Sequence, residues 1–209
     1  MEYKWPNNLT KTCDLHCNVN KIKKSISQYY ANNQEIIFSK GHIAMAAVIE
    51  GLVETIIQKL EVIPEDDVFG IEVTKAIFVP IIKSNPIFIK FVSNVVENID
   101  NLEHNGLLLN LIVSNYDFNF MVKNTSADIE LTEEVENMIL FLIYKVFCEV
   151  LQVAKVLLTY KKTKVLKPDT ISSACELIFT KPLFDIINQK IYDTIDLIEY
   201  AGYESATDS

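Results

Sequence analysis

The chain has 209 residues and 49% of them are hydrophobic, so it can bury a sizeable core and is not a disordered segment. Five glycines and six prolines are too few for a turn-rich β fold and favour long helices. All 19 basic residues are lysine, against 28 acidic ones; the net charge of −9 argues against general nucleic-acid binding but leaves room for a local basic patch.

Residues 1–18 read as a tail. Lys4, Asn7 and Asn8 interrupt it and no apolar core follows the start, so a secretory leader is not expected and the setting expected is intracellular and reducing. A short helix is predicted over Val19–Tyr30, with Ile22, Ile26 and Tyr29 on one face. The stretch ANNQE (31–35) breaks it. Ser39 is placed to cap a long helix from Lys40 to Ile63. On that helix Glu50, Glu54, Gln58 and Glu61 form a narrow polar stripe, and a helix otherwise so apolar needs partners on more than one side. Pro64 ends it and EDDVFG (65–70) forms a loop. A short helix follows over Val73–Lys83, where Pro80 is expected to kink or end it. Asn85 and Pro86 then open a helix reaching Asn101, and residues 102–106 are the linker.

The second half repeats this order. A short helix is predicted over Leu107–Asn119, broken by VKNTSAD (122–128). Thr132 caps a long helix to Leu158, with Glu133 and Glu134 near its positive end. Its segment 138–158 is long enough to span a bilayer. However, Lys145, Glu149, Gln152 and Lys155 form a polar stripe, and each charge would cost about 2.5–3.5 kcal/mol at the bilayer centre. A water-soluble helix with a wide buried face is the expectation. Cys148, on that helix, and Cys175 lie in apolar patterns and read as small buried hydrophobes. TYKKTK (159–164) is a loop, a short helix follows over Asp169–Phe179, and Thr180 and Pro182 open a last helix to Tyr200. Residues 201–209 are a polar tail. Near their ends the halves also match in residues: Asn85-Pro86-Ile87-Phe88 parallels Lys181-Pro182-Leu183-Phe184.

Short helix, loop, long helix, loop, short helix is the order of the histone fold. AAVIEGLVETII (46–57) resembles the central helix of a core histone, and YKKTKVLKPDTISSACELI (160–178) resembles the second loop and third helix of that fold. Residues 182–200 resemble the extra C-terminal helix of some core histones. The resemblance implies an all-α chain of two tandem histone-fold units, residues 19–101 and 107–200, joined as an intramolecular pseudo-dimer, each followed by an extra C-terminal helix. Such doublets occur in some large DNA viruses. Two long helices with narrow polar stripes would bury each other's apolar faces, and one chain makes the pairing obligatory.

The resemblance also implies phosphate contacts by loops and first helices. The candidates are Lys161, Lys162, Thr163, Lys164 and Lys167 around the second-half loop, Lys123 near the other loop, and Lys21, Lys23 and Lys24 on the first helix. In a histone pair the second loop of one unit lies beside the first loop of the other. Lys161–Lys167 would then face Glu35, and Glu65–Asp67 would face Lys123. Lysine binds phosphate as a point charge without arginine's fork, and the minor-groove arginines of histone cores have no counterpart. Glu50, with Glu54 and Glu61, matches an acidic partner-docking position; an ordinary solvated stripe is the competing reading. Cys13, His16 and Cys17 (CDLHC) offer three zinc ligands where a structural site needs four, so no metal or cofactor is expected. No catalytic motif is present. The expected function is a non-catalytic histone-like assembly protein of a DNA-associated complex, in the nucleus, a viral factory or a virion. Its partners would be other histone-like or chromatin-associated proteins, in higher-order assembly, and the DNA phosphate backbone. The alternative is a helical protein-binding regulator, such as a virus-encoded one, without a nucleic-acid role.

Overall fold

The computed structural model describes residues 7–31, 36–61, 71–88 and 112–201. Among these the protein is mostly helical. Helices α1 (Asn8–Thr12), α2 (Val19–Tyr30), α3 (Gly41–Leu60) and α4 (Lys75–Ser84) come from the first half. Helices α5 (Asn115–Thr125), α6 (Glu133–Tyr160), α7 (Pro168–Ile178) and α8 (Lys181–Tyr200) come from the second. Four short strands accompany them: β1 (Ile37–Phe38), β2 (Ile71–Val73), β3 (Ile129–Leu131) and β4 (Val165–Leu166). No helix among the described residues is long and apolar enough to cross a membrane.

The chain divides into two compact units, and each takes residues from both halves. The first comprises Met1–Gly51 and Phe147–Ser209; the second is Leu52–Val146. In the first unit β1 pairs with β4 in parallel, Ile37 opposite Val165 and Phe38 opposite Leu166. The amide of Ile37 donates to the Lys164 carbonyl (3.0 Å) and that of Ser39 to the Leu166 carbonyl (2.9 Å). Gly41 opens α3 against this bridge, where a Cβ would lie 2.6 Å from the Leu166 carbonyl oxygen. Helix α2 buries Ile22, Ile26 and Tyr30, and the Tyr30 hydroxyl donates to the Leu151 carbonyl of α6 (2.7 Å). Leu183, Ile187 and Ile191 supply the buried stripe of α8. In the second unit β2 pairs with β3 in parallel, Val73 opposite Leu131, and the Thr132 amide extends the bridge to the Val73 carbonyl (3.2 Å). Leu52, Val53, Ile56, Ile57 and Leu60 of α3 are buried there, as are Val135, Met138, Ile139 and Leu142 of α6.

Several sequence expectations need correction. Residues 7–18 are not a tail: α1 is capped by Asn7, and Cys13, Leu15 and Cys17 are buried at alternate positions. Lys40, in the left-handed region (φ 59°), separates Ser39 from the first residue of α3. Pro80 does not end α4; both Pro80 and Ala76, whose carbonyl loses its partner, are exposed, so water can replace the missing bond. Residues 107–111 of the helix expected over 107–119 lie outside the described residues; among the described ones a helix runs from Asn115 to Thr125, through the start of the expected break. The Ser114 hydroxyl accepts from the Asp117 amide (3.1 Å) and donates to its carboxylate (2.6 Å), which fixes the start. Burial of Phe118, Met121 and Val122 at helical spacing carries the helix onward. Thr180 precedes α8 without a side-chain capping bond, and its hydroxyl oxygen is buried without a partner. Cys148 is half-buried where full burial was expected, whereas Cys175 is fully buried. Most of the helix expected over 86–101, the linker 102–106, most of the tail 201–209, and Glu35, Glu65, Asp66, Asp67 and His104 lie outside the described residues.

Candidate functional site: a lysine-rich strand bridge and a buried carboxylate

The second-half lysines leave the end of α6. The Lys161 amide donates to the Leu157 carbonyl (2.9 Å), and the amides of Lys162 and Thr163 close on Thr159 (3.1 Å) and Leu158 (3.1 Å). Lys162 takes the left-handed conformation (φ 50°) that ends the helix and turns the chain into β4. The Thr163 hydroxyl accepts from the Val165 amide (3.2 Å), which leaves its own proton to donate. Lys161, Lys162, Lys164 and Lys167 are all exposed around this turn. The backbone that holds them is anchored through the Lys164 and Leu166 carbonyls to β1.

The same bridge gathers a lysine from α2. Lys23 Nζ lies 5.6 Å from the centre of the Phe38 ring, and Phe38 stands opposite Leu166 in the bridge. Lys24 is exposed and Lys21 half-buried on the same helix. Lys40 is tied to Glu199 of α8 at 2.9 Å, a half-exposed pair of modest strength. Lys123 belongs to the other unit, where its ammonium donates to the Ile129 carbonyl (3.3 Å) beside the β2–β3 bridge. That second bridge is acidic: Glu72 stands opposite Glu130, and both are exposed. Lys23 and Lys161–Lys167 gather at the first bridge, and Lys123 lies at the second.

Beside Phe38, the ring of His42 packs edge-on at 5.3 Å between centroids. Its Nδ1 is buried without a hydrogen-bond partner. Burial, and then the positive charge of Lys23, push its pKa down to about 4, so the ring is neutral at pH 7.

Glu50 departs furthest from expectation. It is 1% exposed, so it offers no surface for partner docking. Its Oε2 accepts the backbone amides of His16 (2.6 Å) and Cys17 (3.3 Å); Oε1 lies 3.0 Å from His16 Nδ1 and 3.6 Å from Lys190 Nζ. A carboxylate this enclosed requires such donors to remain charged. Glu54 is half-buried and Glu61 exposed, so the stripe reaches solvent only further along α3. The CDLHC residues serve the same junction. Cys17 Sγ donates to the Ala46 carbonyl (3.4 Å), and Cys13 is buried, its thiol pushed up to about 12 by burial and then by the Glu50 charge. No group of three or more His, Cys, Asp or Glu side chains among the described residues is placed to hold a metal ion.

Lys40 and Lys190 were not anticipated from the sequence. Gly51 carries the one local signal for Lys190: a Cβ there would stand 3.0 Å from Ile187 Cδ1 and 3.5 Å from Lys190 Cγ, so a small residue lets α8 approach α3. Searches against family models, curated proteins and solved structures find no match to the chain.

Proposed function

We propose that the chain is an intramolecular histone-fold pair that acts as a non-catalytic assembly module in a DNA-associated complex and touches DNA phosphate through the β1–β4 bridge. The observation that carries this reading is the reciprocity of the two strand bridges. The strand before the first long helix pairs with the strand after the second, and the strand after the first pairs with the strand before the second. Such an exchange is what two histone-like halves in one chain require, and it supports the second-loop-to-first-loop neighbourhood inferred from the resemblance. The exposed Lys161, Lys162, Lys164 and Lys167, with Lys23 at the same bridge, then form the phosphate-facing side. A purely protein-binding role is favoured by the exposed Glu72–Glu130 pair at the other bridge, which repels DNA.

A salt series on duplex DNA separates the two readings. Phosphate contact requires binding that weakens as salt rises and is lost when Lys161, Lys162 and Lys164 are changed together to Glu. Absence of binding at low salt leaves the protein-only role. The fold reading is tested separately, by whether residues 19–100 and 107–200 superpose in an experimental structure.

A further inference from the structure

Residues 7–18 form an internally bonded segment. Asn7 caps α1 by accepting from the Thr10 amide (2.7 Å) and hydroxyl (2.9 Å). Its amide nitrogen donates to Asn18 Oδ1 (3.2 Å), and Asn18 in turn caps α2. The Leu15 amide returns to the Thr10 carbonyl (3.2 Å), and the Val19 amide donates to the Thr10 hydroxyl (3.3 Å). Asp14 turns the chain through the left-handed region (φ 52°) between Cys13 and Leu15. Much of the segment's polar bonding is thus local; opening it as a unit would break the Thr10–Val19 bond to α2 but leave the bonds within residues 7–18 intact.

Polar bonds to one turn of α3 hold the segment. The Glu50 carboxylate takes the His16 and Cys17 amides and the His16 ring, and the Ala46 carbonyl takes the Cys17 thiol. A thiol is a weak donor, so the carboxylate is the stronger holder. Under the docked segment, Cys13 and Cys17 are sealed from water.

We propose that residues 7–18 are a strap, latched onto α3 by Glu50, whose opening as a unit exposes Cys13 and Cys17 while the rest of the first unit stays folded. The docked strap holds Cys13 as an unreactive neutral thiol, because burial and the neighbouring carboxylate both oppose the thiolate. Once open, both thiols regain ordinary reactivity. The strap is then a gate on thiol chemistry, and Glu50 is its positioning residue. Cys175, buried within α7, lies outside the strap and reports opening of the folded body instead.

The test is alkylation of the full chain with iodoacetamide at pH 8, each cysteine followed by peptide mass spectrometry over a range of urea below the unfolding transition. Cys13 and Cys17 are expected to label together and faster than Cys175, with a shallower dependence on urea, as for an opening that exposes less surface than unfolding of the body. Cys175 should label slowly, at a rate that climbs with urea. Glu50→Gln should speed Cys13 and Cys17 by about tenfold or more, the factor expected when charge-assisted hydrogen bonds are lost. The strap is overturned if Cys13 and Cys17 in the unaltered chain are as protected as Cys175 and share its urea slope. The latch is overturned if Glu50→Gln folds and leaves their rates unchanged.

Discussion

A carboxylate shut away from water has to be matched donor for donor, and Glu50 divides its donors unequally. Two backbone amides and the His16 ring lie at 2.6–3.3 Å, while Lys190 Nζ stands at 3.6 Å on a side chain 27% exposed. The near donors should dominate. Glu50→Gln is expected to lower stability in urea unfolding by about 2–3 kcal/mol, since it removes the charge and turns an amide towards other donors. Lys190→Met should cost less than about 1 kcal/mol, because its pairing is longer and water screens it. Equal losses would mean that the ammonium, not the backbone amides, holds the carboxylate. His42 calls for a different measurement. Its pKa is about 4 in the folded chain against an ordinary 6.5, so the unfolded chain takes up a proton first as pH falls. The stability that its neutral ring contributes is complete above pH 6.5 and is lost as pH falls from 6.5 to 4, about 2–3 kcal/mol of it by pH 4.5. Urea titrations between pH 7.5 and 4.5 should show a steeper decline for the unaltered chain than for His42→Leu. Parallel curves would place the pH sensitivity in another group.

At the scale of elements, two glycines separate a tight junction from a tolerant one. In Gly41→Ala the new Cβ would meet the Leu166 carbonyl oxygen at 2.6 Å and its carbonyl carbon at 2.8 Å, and backbone held in a strand bridge cannot step aside cheaply. A loss of about 2–3 kcal/mol is expected, read as a fall in melting temperature. In Gly51→Ala the close contact is Ile187 Cδ1 at 3.0 Å, the far end of a flexible side chain, and alanine regains about 1 kcal/mol of helix propensity. That variant should stay within about 1 kcal/mol of the unaltered chain. If Gly51→Ala proved the worse of the two, the α3–α8 approach would be the stricter constraint. Helices α2, α3, α4, α6, α7 and α8 were readable because their signals are local, whereas α1 and the bounds of α5 were not. The boundaries of α2 follow from Asn18 and its buried stripe, and those of α7 and α8 from Pro168 and Pro182 in their first turns. The strand bridges were not readable as strands, because two or three residues pairing across more than fifty positions leave no periodicity to detect. Residues 13–17 were hidden differently: Cys13, Leu15 and Cys17 are buried at alternate positions through an irregular turn rather than a strand, so no regular period marks them.

Over the whole molecule, the two bridges share a topology and differ in charge, so what holds the chain together and what it touches are separable. Ile37, Phe38, Val165 and Leu166 make the first bridge, with lysines around it, while Glu72 opposite Glu130 marks the second. The apolar residues of the bridges could be read in the sequence, but their pairing could not. The bridge charges could be counted in the sequence, but Lys23 joining the loop lysines could not, since Phe38 brings them together only in the fold. On the proposed phosphate-contacting role, this asymmetry would set the salt dependence. If the exposed Lys161, Lys162, Lys164 and Lys167 each neutralise one phosphate and the half-buried Lys23 none, the slope of log affinity against log salt should be about −3.6, and the second bridge should add nothing. Replacing Glu72 and Glu130 with lysine removes the repulsion and offers two new contacts, so affinity should rise and the slope should steepen by about 2. That result would indicate that the second bridge can also be brought onto phosphate. A slope that stays near −3.6 in the double variant would confine DNA to the first bridge. Fluorescence anisotropy between 50 and 200 mM salt covers the range over which such slopes are resolved.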